Sequence, residues 1–189
     1  MTTNVNPHHH RALAYADRPF KQEHVHISAP HMYATVLEQL EFIPGLSFLN
    51  VGSGSGYFSC LAACLLGESG LSHGIEVNGD AVRHPELCCQ RWYDSILLRR
   101  EEGSDDLPII SREGISFVEG NCFDIDVAAS TACCRYDRIY IGAGCPESKK
   151  DFFFSLLADE GIMVAPIDDS NCLVRIKRQC RNVFTVTHM

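Results

Sequence analysis

The sequence contains no run of about 18 apolar residues, the length a bilayer-spanning helix needs, which excludes a helical membrane anchor within it. It has little positive charge: 16 Lys and Arg stand against 24 Asp and Glu, a formal net charge of −8. Phosphate backbones are held by basic faces, so a nucleic-acid partner is disfavoured. The one basic stretch, "LVRIKRQCR", reads as a solvated strand edge. There are ten cysteines but no Cys-x-x-Cys pair. Cys60 and Cys64 lie one helical turn apart, Cys88-Cys89 and Cys133-Cys134 are adjacent, and none has metal-ligand spacing. The polar start "MTTNVNPHHH" lacks the apolar core of a secretory signal. The thiols are therefore expected to be reduced, small core residues of a cytoplasmic protein. His8 to His10 read as polar tail. Repeats and low-complexity segments are absent.

What is present is the composition of an ordinary globular chain, 46% hydrophobic and 21% charged over 189 residues. The length suits one domain, 1–189, with 1–13 expected as a disordered tail. Residues 14–26 show no strong periodicity. Ser28 then reads as a helix N-cap with Pro30 in the first turn. Tyr33, Val36, Leu37 and Leu40 at i, i+3, i+4, i+7 predict an amphipathic helix over 29–41, broken by Pro44-Gly45. "LSFLNV", "SHGIEV", "GISFVEG", "YDRIYIGAG" and "GIMVAPI" read as strands. "YFSCLAACLLG", residues 79–99 and "SKKDFFFSLLADEG" read as helices, and "REEGSDDLP" as an exposed acidic loop. "CLVRIKR" and "NVFTVT" alternate around "QCRN" and predict a terminal hairpin. Alternating strands and helices imply a parallel, doubly wound α/β sheet, with a ligand at the carboxyl ends of its strands. Gly52–Gly56, Glu76, Gly120-Asn121 and Gly142–Gly144 all fall at such ends.

The loop "LNVGSGSGY" decides what that ligand is. It has no lysine, so it is not the phosphate-gripping GxxxxGK[ST] loop. It is GxGxG, with the third glycine one position earlier than in the dinucleotide fingerprint. Its glycines admit a ligand close to the backbone, and the following helix offers free N–H groups. About 20 residues on, Glu76 ends the next strand, where a carboxylate suits the two hydroxyls of a ribose. The pattern implies a nucleoside held without a pyrophosphate cradle, and S-adenosyl-L-methionine fits.

"ISAPHMYA", "LNVGSGSGY", "GIEV", "VEGN", "YDRIYIGAG" and "GIMVAPI" together resemble the protein-L-isoaspartate O-methyltransferase family, in that family's order and at about its spacing, over residues 14–187. "LSFLN", "HGIE", "GNC", "YDRIY" and His26 resemble its isoaspartate O-methyltransferase domain-containing subgroup. The resemblance implies a class I S-adenosylmethionine-dependent methyltransferase, a Rossmann-like doubly wound sheet of seven strands with a C-terminal antiparallel hairpin. It implies methyl transfer to the free carboxylate of L-isoaspartyl residues in damaged proteins, which is a protein-repair reaction. Gly52, Ser53, Gly54 and Gly56 would line methionine and ribose, Glu76 would take the ribose hydroxyls, and Asn121-Cys122 would flank the adenine. His26, Ile27, Tyr33, Asn50 and Val77 join that cofactor set. Ser28 would be the catalytic serine, with the helix-start residues Ala29 and His31 beside it as substrate contacts. The partners implied are isoaspartyl peptides and proteins, met by a monomer, with no nucleic acid, membrane or metal. The alternative is a cofactor-binding recognition module without turnover, resembling the subgroup's ubiquitin-ligase substrate receptors.

The chemistry agrees. An NPPY-type exit for amine or base methylation and a Pro-Cys nucleophile loop for cytosine carbon are both absent, and the exit reads "GAGCP". A carboxylate is already ionised at pH 7 and needs no general base, so orientation alone carries such a reaction. The chain departs from the family in having Asn50 and Asn121 where aspartates are usual and His26 for threonine. About a dozen residues precede "YADRPF" and nothing follows the hairpin, so a truncated or divergent copy is expected.

Overall fold

Strands that read as near-continuous apolar runs are those buried on both faces by crossover helices. In the computed structural model, which describes residues 16–22, 25–104, 106–125, 135–166, 173–180 and 183–189, three such runs form the centre of a sheet. These are β3 (Ser47–Val51), β6 (Tyr136–Ile141) and β7 (Leu157–Pro166). Beyond β3 lie β4 (Leu71–Glu76) and β5 (Ile115–Glu119). Beyond β7 lie β8 (Leu173–Gln179) and β9 (Val183–His188). The seven strands run in the order β5-β4-β3-β6-β7-β8-β9, and β5 to β7 are parallel. The expected terminal hairpin is β8 and β9, antiparallel to their neighbours. This is the α/β class I methyltransferase arrangement.

The helices are α1 (Pro30–Leu40), α2 (Tyr57–Leu66), α3 (Gly79–Glu101) and α4 (Lys150–Leu156). Successive residues of a strand face opposite sides, so the sheet has two cores. Phe48, Tyr140, Ile162 and Val164 pack under Val36 and Leu40 of α1 and Phe58, Ala62 and Leu66 of α2. Leu49, Val51, Ile75, Ile139 and Met163 pack against Phe153 and Leu156 of α4. Among the described residues, no helix is long and apolar enough to cross a membrane, and the described cysteines are free thiols. The tail 1–13, His8–His10, Cys133, Cys134 and Cys172 lie outside the described residues.

Four local expectations are corrected. The stretch before Ser28 forms a small antiparallel pair, β1 (Phe20–Gln22) with β2 (Val25–Ile27). Ser28 is not the N-cap of α1. That position is Ala29, which has no capping side chain, because Pro30 already occupies the first helical turn. The helix expected over "SKKDFFFSLLADEG" stops at Leu156. Leu157 turns extended and fully buried, its carbonyl is taken by the buried Arg178 guanidinium, and Asp159 pairs with Arg178 at 3.1 Å. Residues 158–161, between the pairings of Leu157 and Ile162 with β6, are a bulge in β7, with Glu160 at φ 60°. Finally, "LVRIKRQ" is an inner strand, and β9 is the edge. Its arginines point into structure: Arg175 donates to Gln39 O and Arg178 to Leu157 O.

Candidate active site

The strand order reverses between β4 and β6 on either side of β3, and a crevice opens at such a switch point. Here it is a cleft of about 450 Å³ at the carboxyl ends of β3, β4, β5 and β6, within the range of small-molecule sites. The glycine loop after β3 forms its floor. Gly52 N–H and Ser53 N–H both donate to Ile75 O, at 2.9 and 3.1 Å, and Gly142 N–H donates to Val51 O at 2.8 Å. The loop is thereby stitched to β4 and to the β6 exit.

Glu76 lies where the second strand ends. Its Oε2 accepts from Gly54 N–H at 3.1 Å and its Oε1 from Asn78 N–H at 3.2 Å. Both oxygens are thus fixed beside the glycine loop. Among the described residues, the lining contains Glu76 as its carboxylate and no lysine or arginine, so these residues offer a diphosphate no cation.

Asn50 sits on the floor, 2% exposed. Its Nδ2 donates to Ser59 Oγ at 3.0 Å, while its Oδ1 is buried without a partner among the described residues. A buried acceptor left open costs free energy comparable to a lost hydrogen bond, which suits a ligand bringing a donor. Tyr140, also buried, has its phenol pushed up to about 12 by burial and so keeps its proton at neutral pH. Asn121 caps the short turn after β5, its Oδ1 accepting from Phe123 N–H at 3.1 Å. The Phe123 ring packs edge-on against Phe152, with Lys149 Nζ 5.1 Å from its centroid.

The far wall is β2 and the start of α1. Ser28 N–H donates to Tyr33 Oη at 3.0 Å. His31 N–H does not face the cleft. It donates to Asp17 Oδ1 at 3.0 Å, and the His31 ring Nδ1 lies 2.8 Å from the same oxygen. These bonds to His31 hold the Asp17 carboxyl below its ordinary value.

Of the residues singled out from the sequence, His26, Ser28, Tyr33, Asn50, Gly52, Ser53, Gly54, Glu76, Val77, Asn121 and Cys122 line this one cleft. Ile27, Gly56, Ala29 and His31 do not. Gly56 serves packing: at φ 75° it begins α2, and a Cβ there would lie 2.6 Å from Pro85 and 2.8 Å from Phe117. Sequence reasoning missed Phe58, Phe123, Tyr140 and Phe153, whose rings complete the lining. A polar ring two residues before the Gly142 exit was the one available signal, for Tyr140.

Comparison with known proteins identifies the family and the fold. The family model described as Protein-L-isoaspartate(D-aspartate) O-methyltransferase matches residues 3–188. A Methanococcus maripaludis protein-L-isoaspartate O-methyltransferase is 32% identical over 157 residues, covering 82% of this chain. One from Methanococcoides burtonii is 28% identical over 182 residues, covering 95%. The chain spans 63% of the length of the first relative and 78% of the second. A crystal structure from Plasmodium falciparum, of a protein assigned to the same family and in complex with S-adenosyl-L-homocysteine, superposes with a TM-score of 0.73 at 24% identity, covering 93% of this chain and 77% of that one.

Proposed function

The chain belongs to the protein-L-isoaspartate O-methyltransferase family, and from that premise we propose that it transfers a methyl group from S-adenosyl-L-methionine to the free carboxylate of L-isoaspartyl residues in damaged proteins. The observation that carries the proposal is the pairing of Glu76 with the glycine loop in a cleft whose described lining has no lysine or arginine. The residues fit a nucleoside bearing an amino acid. Glu76 can receive ribose hydroxyls, the open Asn50 Oδ1 can receive an N–H, and Val77, Asn121 and Cys122 form the wall where a base would lie. When bound, the cofactor supplies an electrophilic methyl group.

The protein's remaining task is to hold a carboxylate. That group is ionised at neutral pH, so no side chain has to take a proton. Ser28 lies in the wall with its backbone fixed by Tyr33 Oη, and its hydroxyl makes no hydrogen bond among the described residues. We assign Ser28 to orienting the carboxylate, because a charge-assisted hydrogen bond fixes an anion well. The partners of this reading are isoaspartyl peptides and proteins, met by a monomer. The net charge of −8 supports the absence of a nucleic-acid partner, and the free thiols support a cytoplasmic location.

The test is transfer of tritiated methyl to an isoaspartyl peptide and to its normal aspartyl twin. Labelling of the isoaspartyl peptide alone is expected. Peptide binding without labelling, or labelling of both twins, would overturn the proposal.

A further inference from the structure

Asp17 and His31 are 14 residues apart in sequence, yet one carboxylate oxygen serves both the amide and the ring of His31. Helix starts are usually capped by a local side chain. In α1 the cap position is Ala29, and no acidic residue occupies the first turn. Asp17 therefore supplies from a distance the carboxylate this helix start lacks. Between its two ends the chain runs through β1 and β2, paired Phe20 to Ile27, and then through His26 and Ser28 in the cleft wall. The backbone carbonyl of His26 is the nearest neighbour of the Cβ position of Gly54, at 3.5 Å. The bond from Asp17 to His31 thus closes a loop that carries His26 and Ser28 of the cleft wall beside the glycine loop.

We propose that Asp17 is a positioning residue for the methyl-transfer reaction, latching residues 25–31 so that Ser28 is presented in one place to the substrate carboxylate. The inference rests on the methyl-transfer reading above. Asp17 touches neither cofactor nor substrate. An exposed ion pair adds little to global stability, so its function lies in ordering this segment. Without the latch, substrate binding has to order the wall, and apparent affinity falls with the fraction of molecules in the competent arrangement. The glycine loop and Glu76 are held by β4 instead, so cofactor affinity falls less than substrate affinity, the loss coming through His26 and Tyr33 alone.

The experiment uses the full chain with Asp17→Ala and Asp17→Asn. For Asp17→Ala, KM for an isoaspartyl peptide is expected to rise about two- to fivefold, the size of a solvent-screened charge-assisted bond, with kcat less affected. The S-adenosylhomocysteine dissociation constant should change less than KM, and the thermal midpoint should stay close to wild type. Asp17→Asn keeps an acceptor for His31 and should recover most of the loss. An unchanged KM in Asp17→Ala overturns the proposal, as does a parallel loss of cofactor affinity and thermal stability. Should the wild-type chain transfer no methyl group, the methyl-transfer reading fails by itself. Amide exchange over residues 25–33 then decides on the latch: acceleration confined to that segment in Asp17→Ala supports it, and unchanged exchange overturns it.

Discussion

Oε2 of Glu76, the last residue of β4, accepts a hydrogen bond from the amide of Gly54 at 3.1 Å. One carboxylate therefore has two tasks, to shape the glycine loop and to face the cleft. Glu76→Ala should weaken S-adenosylhomocysteine binding more than tenfold, about 1.4 kcal/mol, measured by calorimetry. Glu76→Gln retains one acceptor for the loop and should fall between the two.

Because Ser28 is not the cap of α1, its replacement should leave stability nearly unchanged, within about 0.5 kcal/mol. Ser28→Ala should slow methyl transfer by about ten- to a hundredfold, the equivalent of roughly 1.5–3 kcal/mol for one bond to a charged group. Cofactor affinity should not move. Ser28→Asp places a negative charge against the incoming carboxylate and should be folded and inactive. A fully active Ser28→Asp protein would remove this residue from the site.

Two glycines near the cleft should respond in opposite ways. Gly56→Ala puts a methyl group against Pro85 and Phe117 at a positive φ, and overpacking alone costs about 1–3 kcal/mol. Gly144 has nothing within 4 Å of its Cβ position, so Gly144→Ala should stay within about 0.5 kcal/mol of wild type. Urea unfolding midpoints separate the two.

The half-buried His73 ring, whose Nδ1 lies 2.9 Å from Tyr136 Oη, titrates below its ordinary value because burial disfavours its charged form. The unfolded chain takes up this proton near pH 6.5, the folded chain only at lower pH. The unfolded state thus binds more protons in that interval. Stability should be full above about pH 7, fall as pH drops through 6.5, and level off below the folded value. His73→Phe should flatten this part of the profile in unfolding curves taken between pH 5 and 8.

The parts of the site legible in the sequence were those made by backbone and strand ends. The GxGxG loop, Glu76 one strand later and Asn121 after the third strand follow from local pattern, and they meet in one cleft. The unread parts depend on partners far along the chain. "LLADE" has helical propensity, and Arg178, some twenty residues on, draws Leu157 and Asp159 out of the helix. Ser28 before Ala-Pro looks like a cap, and only the fold brings Asp17 to do that work. "LVRIKR" alternates as an edge strand would, and whether such a strand is inner or outer depends on what pairs with its far side.

The far end of α1 is held by residues still more distant. Arg138 of β6 donates to Glu41 O at 2.9 Å, and Arg175 of β8 donates to Gln39 O at 2.9 Å, across 97 and 136 residues. Contacts that close such long loops form late, since their entropy must be met before they reward the chain. The glycine loop and Glu76 are only 22 residues apart. During synthesis, the half of the cleft containing the glycine loop is thus expected to assemble well before the half containing Ser28 and Tyr33. A nascent chain would hold the nucleoside first and become competent toward its protein substrate only once β8 has emerged and docked.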